Sequence, residues 1–168
     1  MNYWGLLVEQ CKREKEEKRR QKKVKLKEPA PTIKGCLKYT VYLDGVPIER
    51  VEDHNLVVNV GRTRLAELIS GKSTAYITQI GFGTGVNNPD LADTALENQL
   101  LMAITSSNVE GQSVTFNWYL GEGDANGMDI REFGLFTSDG VMVTHQQRGK
   151  VIGKWSDITI EGQYILSF

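Results

Sequence analysis

The stretch "CLKYTVYLDGVPIERV" (residues 36–51) decides the fold class. Leu37, Tyr39, Val41 and Leu43 recur at every second position, the period at which strand side chains return to one face of a sheet. Asp44-Gly45 interrupts the alternation, and Asp-Gly between two such runs is a strong hairpin signal. A two-stranded hairpin is marginal alone, so this one needs further strands to cover its apolar face.

The remainder of the body supplies them. "NLVVNV" (55–60) reads as a short strand, and "GRTRLAELISG" (61–71) as a helix with Leu65, Leu68 and Ile69 on one face and Gly71 as its C-cap. "AYITQIGF" (75–82) is a strand, "DTALENQLL" (93–101) a short helix, and "SVTFNWYL" (113–120) a strand with Val114, Phe116, Trp118 and Leu120 alternating. "IREFGLFTSDGVMVTHQQ" (130–147) is a second hairpin turning at Ser138-Asp139-Gly140, and "DITIEGQYILSF" (157–168) reads as two short strands around Gly162. With 17 glycines and 4 prolines, the pattern predicts a mainly β fold. A β-sandwich or distorted barrel of short antiparallel strands is expected, with one or two short helices.

The amino-terminal residues have another character. Residues 1–34 hold 11 Lys/Arg against 5 Asp/Glu, and the remainder 9 against 16, so a net charge of −1 conceals a basic arm on an acidic body. Tyr3, Trp4, Leu6, Leu7 and Val8 form an apolar tip, and residues 12–23 are all polar or charged. Glu9, Glu14 and Glu16 each stand four residues ahead of a base, an order that supports a helix by about 0.2–0.5 kcal/mol per pair. Pro29 and Pro31 end it. The expected organisation is a charged helical arm over 1–28, a Pro-containing linker over 29–34 and a β-domain over 35–168. A sticky tip on a solvated rod suits docking to protein. The interleaved glutamates argue against nucleic acid, because they repel phosphates.

No run approaches the length of about 20 apolar residues that spans a bilayer, and no signal-peptide pattern opens the chain, so a soluble protein assembled inside a cell is expected. Cys11 and Cys36 lack metal-ligand spacing and read as reduced thiols, a Cys11–Cys36 bridge being the alternative.

The segment "ITQIGFGTGVNNPDLADTALENQ" (77–99) looks most like a site. Its Gly81, Gly83 and Gly85 are not followed by the Gly-Lys-Ser/Thr of a P-loop, and no βαβ unit surrounds them. Alternate glycines in a strand instead mark a bulge or a close backbone approach. Asp124, Asn126 and Asp129 around Gly127 resemble part of a Ca²⁺ loop, but the pattern stops early and Asn-Gly is itself a turn signal. His54, in a turn, and His145, in a strand, have no local partner motif. Asp129 and Glu132 as paired acids would point to opposite faces of a strand. Trp118 belongs to the core, leaving Trp155 as a contact for a glycan. No catalytic residue, metal or cofactor is expected.

Taken in order, "HNLVVNVGRTRLAELISG", "ITQIGFGTGVNNPDLADTALENQ", "GMDIREFGLFTSDGVMVTHQQ" and "VIGKWSDITIEGQYILSF" resemble a family of bacteriophage virion proteins of tails, fibres and baseplates. The resemblance covers most of residues 54–168 and leaves the arm outside. It implies a structural adaptor or fibre-base domain, assembled in the host cytoplasm into the virion beside other virion proteins. Such domains are often homo-oligomers of threefold multiplicity. It implies no catalytic residues, and it makes Gly81, Gly83, Gly85 and Pro89 a structural corner whose short helix Asp93 or Thr94 would cap. A capsid-bound fibre or decoration protein and a carbohydrate-binding host-recognition module are the competing readings.

Overall fold

The computed structural model describes residues 9, 10, 12–17 and 32–168. The chain divides into two units, Met1–Pro31 and Thr32–Phe168. Within the first, residues 9–10 and 12–17 are helical and solvent-exposed, as the acid-before-base spacing predicts.

The second unit is mainly β. Its strands are β1 (Lys34–Leu43), β2 (Val46–Val57), β3 (Ile77–Gly83), β4 (Leu100–Ala103), β5 (Ser106–Glu110), β6 (Ser113–Leu120), β7 (Met128–Thr137), β8 (Thr144–Lys154) and β9 (Ile158–Ser167), with a helix at Asn59–Ile69. Asp44 and Gly45, between β1 and β2, have φ of 49° and 77°. Two consecutive positive φ values make a turn whose twist matches that of the flanking strands, which is why Asp-Gly stands there.

All nine strands join one antiparallel sheet in the order β4-β3-β7-β8-β2-β1-β9-β6-β5, curled into a half-barrel. Its outermost strands, β4 and β5, are consecutive in the chain. Between them the Ile104 amide bonds Thr78 O at 2.9 Å and the Thr105 amide bonds Asn117 O at 2.8 Å. One segment therefore links the two ends of the sheet, while β5 itself stays exposed along its length.

The wall is thinnest where β2 meets β8, with only Leu56↔His145 and Val57↔Thr144 in register. Beyond those pairs side chains span the gap. Gln146 Nε2 donates to Asp53 Oδ2 at 3.0 Å, and Arg148 Nη2 donates to both oxygens of Glu49 at 3.0 Å. The Arg148 guanidinium also lies 5.7 Å from the centre of the Tyr39 ring. Burial pushes the Tyr39 phenol up to about 12, with Arg148 opposing.

The alternating apolar positions of β1, β6 and β9 meet those of β3 and β7 in the core. Tyr39, Phe82, Trp118 and Phe133 form its aromatic centre, with Tyr39 and Phe133 stacked at 5.0 Å and Phe82 edge-on to Trp118 at 5.5 Å. An irregularity between Ile130 and Glu132 shifts the parity of β7, so Ile130 and Phe133 both reach this core although three residues apart.

Five local expectations are corrected. Residues 93–99 form turns and bends before β4, not a helix, because side chains capture amides a helix would use: that of Glu97 goes to Glu132 and that of Leu96 to Gln99. Residues 158–167 form one continuous strand through Gly162, not two. Ile69 is exposed while Leu65 alone of its face is fully buried, and Leu43 is exposed at the hairpin end. His54 lies within β2, not in a turn. The helix does end as expected: Gly71 has φ of 70°, and the Lys72 amide reaches back to Glu67 O at 2.9 Å.

Candidate functional site

The glycine series makes room for two side chains of β7. Gly81 and Gly83 pair in register with Gly134 and Glu132. A Cβ on Gly81 would stand 2.4 Å from the Phe136 ring, and one on Gly83 would stand 2.4 Å from Glu132 Oε2. At Gly85 the same atom would lie 2.5 Å from the Glu132 carboxyl carbon. Each is closer than nonbonded carbon atoms tolerate. The glycines thus bring the backbone of residues 83–85 against a buried carboxylate.

That carboxylate organises the following loop. Glu132 is 4 % exposed, and its Oε2 accepts from the amides of Gly85 at 2.8 Å and Glu97 at 2.9 Å. Its Oε1 lies 3.0 Å from His145 Nε2, while His145 Nδ1 lies 2.7 Å from Asp93 Oδ2. Each imidazole contact needs a proton, so ring and acids together hold at least two. Asp93 Oδ2 also accepts from the Asp90 amide at 2.7 Å. Burial opposes the Asp93 charge, but the Asp90 amide and His145 outweigh it and hold the carboxyl below its ordinary range. Pro89 stands half-buried between exposed Val86–Asn88 and the Asp90–Asp93 turn.

Acid–imidazole–acid chains occur in catalytic relays; here Nε2 faces the buried Glu132, Nδ1 faces the partly exposed Asp93, and Glu132 Oε2 is taken by two backbone amides. The nearest hydroxyl on the same strand, Thr144 Oγ1, accepts from the Leu135 amide at 2.9 Å. What the trio can do is anchor residues 84–99 to β7 and β8. Removing one member of such a buried charged set typically costs about 3–5 kcal/mol. Asp129, the other acid of the candidate pair, is exposed and takes no part. Sequence reasoning missed the association because the partners of His145 lie 13 and 52 residues away. One signal was available: Glu132 and His145 border the apolar runs 133–136 and 141–143 on the two arms of a single hairpin.

The acidic turn at 121–129 holds a cation of its own. Lys154 is fully buried, and its Nζ donates to Trp155 O at 2.9 Å and to Asn126 Oδ1 at 3.3 Å. Desolvation lowers its pKa, with Asp124, Asp157 and Glu122 opposing. Asp124 Oδ2 accepts from the Gly121 amide at 2.8 Å, so it closes the turn. Among the described residues no group of three or more His, Cys, Asp or Glu is arranged to hold a metal.

Trp118 lies in the core and Trp155 is 62 % exposed, both as their sequence contexts suggest. Trp155 has no stacked aromatic neighbour among the described residues. Cys36 is a free thiol facing Glu52, and Cys11 lies outside the described residues. The tip residues Tyr3, Trp4, Leu6, Leu7 and Val8 also lie outside them. Among the described residues no helix is long and apolar enough to cross a membrane. Comparison with protein-family models, with curated proteins and with solved structures gives no match to this chain.

Proposed function

We propose that this chain is a non-enzymatic structural protein of a bacteriophage virion, an adaptor or fibre-base component of the tail or baseplate that docks through its amino-terminal arm. One observation carries the reading. The separate segments that resemble virion proteins converge in space: Gly83 and Gly85 from one, Glu132 and His145 from another, and the helix from a third. A Cβ on Gly61 of that helix would stand 2.5 Å from Val143 Cα. Their characteristic residues are spent on close packing and on anchoring a loop, which is the work of a building part.

The surface supports the same reading. Val46 and Ile48 on β2 and Val109 on β5 are more than half exposed, offering apolar contacts to neighbouring copies or other virion proteins. Repetition of such contacts in a symmetric, for instance threefold, assembly multiplies weak interfaces into a stable one.

The test is incorporation into particles. Deleting residues 1–28 is expected to leave the cooperative melting of the β-domain in place and to remove the chain from purified virions. Particles that retain the truncated chain would refute docking through the arm, and particles that lack the full chain would refute the virion role. Labelling the chain in intact particles separates a tail position from the capsid surface of the rival reading.

A further inference from the structure

A cleft of about 680 Å³ opens over the outer face of β2, β1, β9 and β6, away from the Glu132 trio and from Trp155. Register lays its polar side chains in two rows. Arg50, Thr40, Glu161 and Tyr119 make one, and Glu52, Lys38, Gln163 and Asn117 the other. Four strands at a spacing of about 4.8 Å give each row a length of about 14 Å. Between the rows run Gly162 and the backbones of Tyr39 and Trp118, whose side chains turn to the core.

Part of this lining is already fixed. Lys38 pairs with Glu52 at 2.9 Å, the Tyr42 hydroxyl donates to Glu161 Oε1, and Asn117 Nδ2 donates to Ser106 Oγ at 3.0 Å. The rest is available. The Arg50 guanidinium, the Gln163 amide and the Tyr119 hydroxyl have no hydrogen-bonding partner among the described residues. The Tyr119 side chain stands 50 % exposed at the edge of the cleft.

We propose that this cleft binds a neutral glycan, a short oligosaccharide carrying neither carboxylate nor phosphate. Two cations, Lys38 and Arg50, balance two carboxylates, Glu52 and Glu161, so the lining favours neither sign of ligand. Nucleic acid and other polyanions meet the two carboxylates. A sugar hydroxyl both donates and accepts, matching a wall that mixes guanidinium, amide, hydroxyl and carboxylate groups at close spacing. The exposed Tyr119 ring offers a flat apolar surface to the C–H face of a pyranose, with its hydroxyl free for a polar contact. The volume falls within the roughly 300–1,000 Å³ of small-molecule sites. An open cleft built on a sheet implies weak binding per site, of about millimolar Kd, made useful by repetition of copies. This inference stands on the cleft alone and survives if the virion reading fails.

The full chain is titrated with maltotriose and with triacetylchitotriose, and with sialyllactose as the charged comparator, at up to about 10 mM while amide chemical shifts are followed. Saturable shifts at cleft residues with at least one neutral sugar are expected. Tyr119→Ala and Gln163→Ala should each weaken that binding about tenfold or more, a change that one lost contact can supply. Both side chains are on the surface, so thermal melting should be unchanged, and Trp155→Ala, outside the cleft, should leave affinity unaltered. The proposal is overturned by no saturable shift with either neutral sugar, by tighter binding of sialyllactose, or by binding that depends on Trp155 and not Tyr119. It is equally overturned if cleft shifts track protein concentration without sugar, which would make the cleft a contact between copies.

Discussion

Gly83 of β3 stands directly opposite Glu132 of β7, and the carboxylate occupies the space that any side chain at position 83 would need. The relation explains why the strand gives way to glycine at alternate positions just before the long loop. It also predicts the effect of filling the gap. Gly83→Ala is expected to destabilise the β-domain by about 1–3 kcal/mol, the usual cost of overpacking a core. Gly85→Ala should act similarly, whereas Gly149→Ala, where nothing lies within 4 Å, should change stability little. Chemical denaturation monitored by tryptophan fluorescence measures all three. Equal midpoints for the 83 and 149 variants would show that the carboxylate moves aside at no cost.

The loop anchor should weaken in acid. Asp93 has a folded-state pKa held below its ordinary 3.8, so the unfolded chain binds the proton more tightly. Its contribution is therefore complete above that value and is lost as pH falls through the folded-state pKa. Glu52 and Asp139 are depressed too and add to the same slope. The specific prediction is a difference: Asp93→Asn lowers stability at neutral pH and flattens the acid limb relative to the parent chain. Amide exchange over residues 84–99 should accelerate in that variant before the rest of the domain unfolds. Parallel acid limbs for the two proteins would remove Asp93 from the account.

The fold was legible where local signals and tertiary needs agree. Alternation at 36–43 and 113–120 and the Asp-Gly turn carry their information within a few residues, and the structure places strands and turn there. The loop at 93–99 was misread because its helical propensity is overridden by acceptors supplied from afar: the Glu97 amide goes to Glu132, 35 residues away. Gly162 looked like a break because glycine often ends a strand, yet here it answers a side chain on another strand. Gly81 and Gly83 lie within β3 and not at a corner, and what they approach, Phe136 and Glu132, was not visible from spacing. Ile69 fell outside the buried stripe because the helix presents a narrow face, with only Gly61 and Leu65 fully covered.

Lys154 gives a slope of the same sign at the alkaline end of the pH range. Desolvation lowers its folded-state pKa below 10.5, so the unfolded chain binds this proton more tightly between the folded value and 10.5. Stability from this group accordingly rises as pH climbs through that window and levels off above it. Lys154→Met removes the charge while keeping the volume, and such replacements in buried sites are often neutral or stabilising. It should leave stability within about 1 kcal/mol of the parent and abolish the alkaline rise. Lys154→Ala leaves a void as well and should cost about 2 kcal/mol or more. Denaturation midpoints at several pH values distinguish them, and an unchanged alkaline limb in Lys154→Met would show that the ammonium is not desolvated.

Gly162 and Trp118 supply the last prediction. They pair in register between β9 and β6, Tyr39 flanks Gly162 from β1, and a Cβ at 162 would stand 2.3 Å from Trp118 Cζ2. Glycine weakens a strand interior, so its presence in the middle of β9 needs a compensating gain. That gain is the indole, which lies against the inner side of the backbone at 162 while reaching Phe82 and Phe133. Gly162→Ala should therefore destabilise the domain although alanine suits a strand no worse than glycine does. Trp118→Phe alone should also destabilise, by loss of buried area. In the double variant the smaller ring leaves room for the new methyl group, so its loss should be smaller than the sum of the two single losses, with a coupling of about 1 kcal/mol or more. Strict additivity in the double-mutant cycle would mean that the methyl group is excluded by Lys38 O, 2.8 Å from the same position, and that the indole is incidental to the glycine.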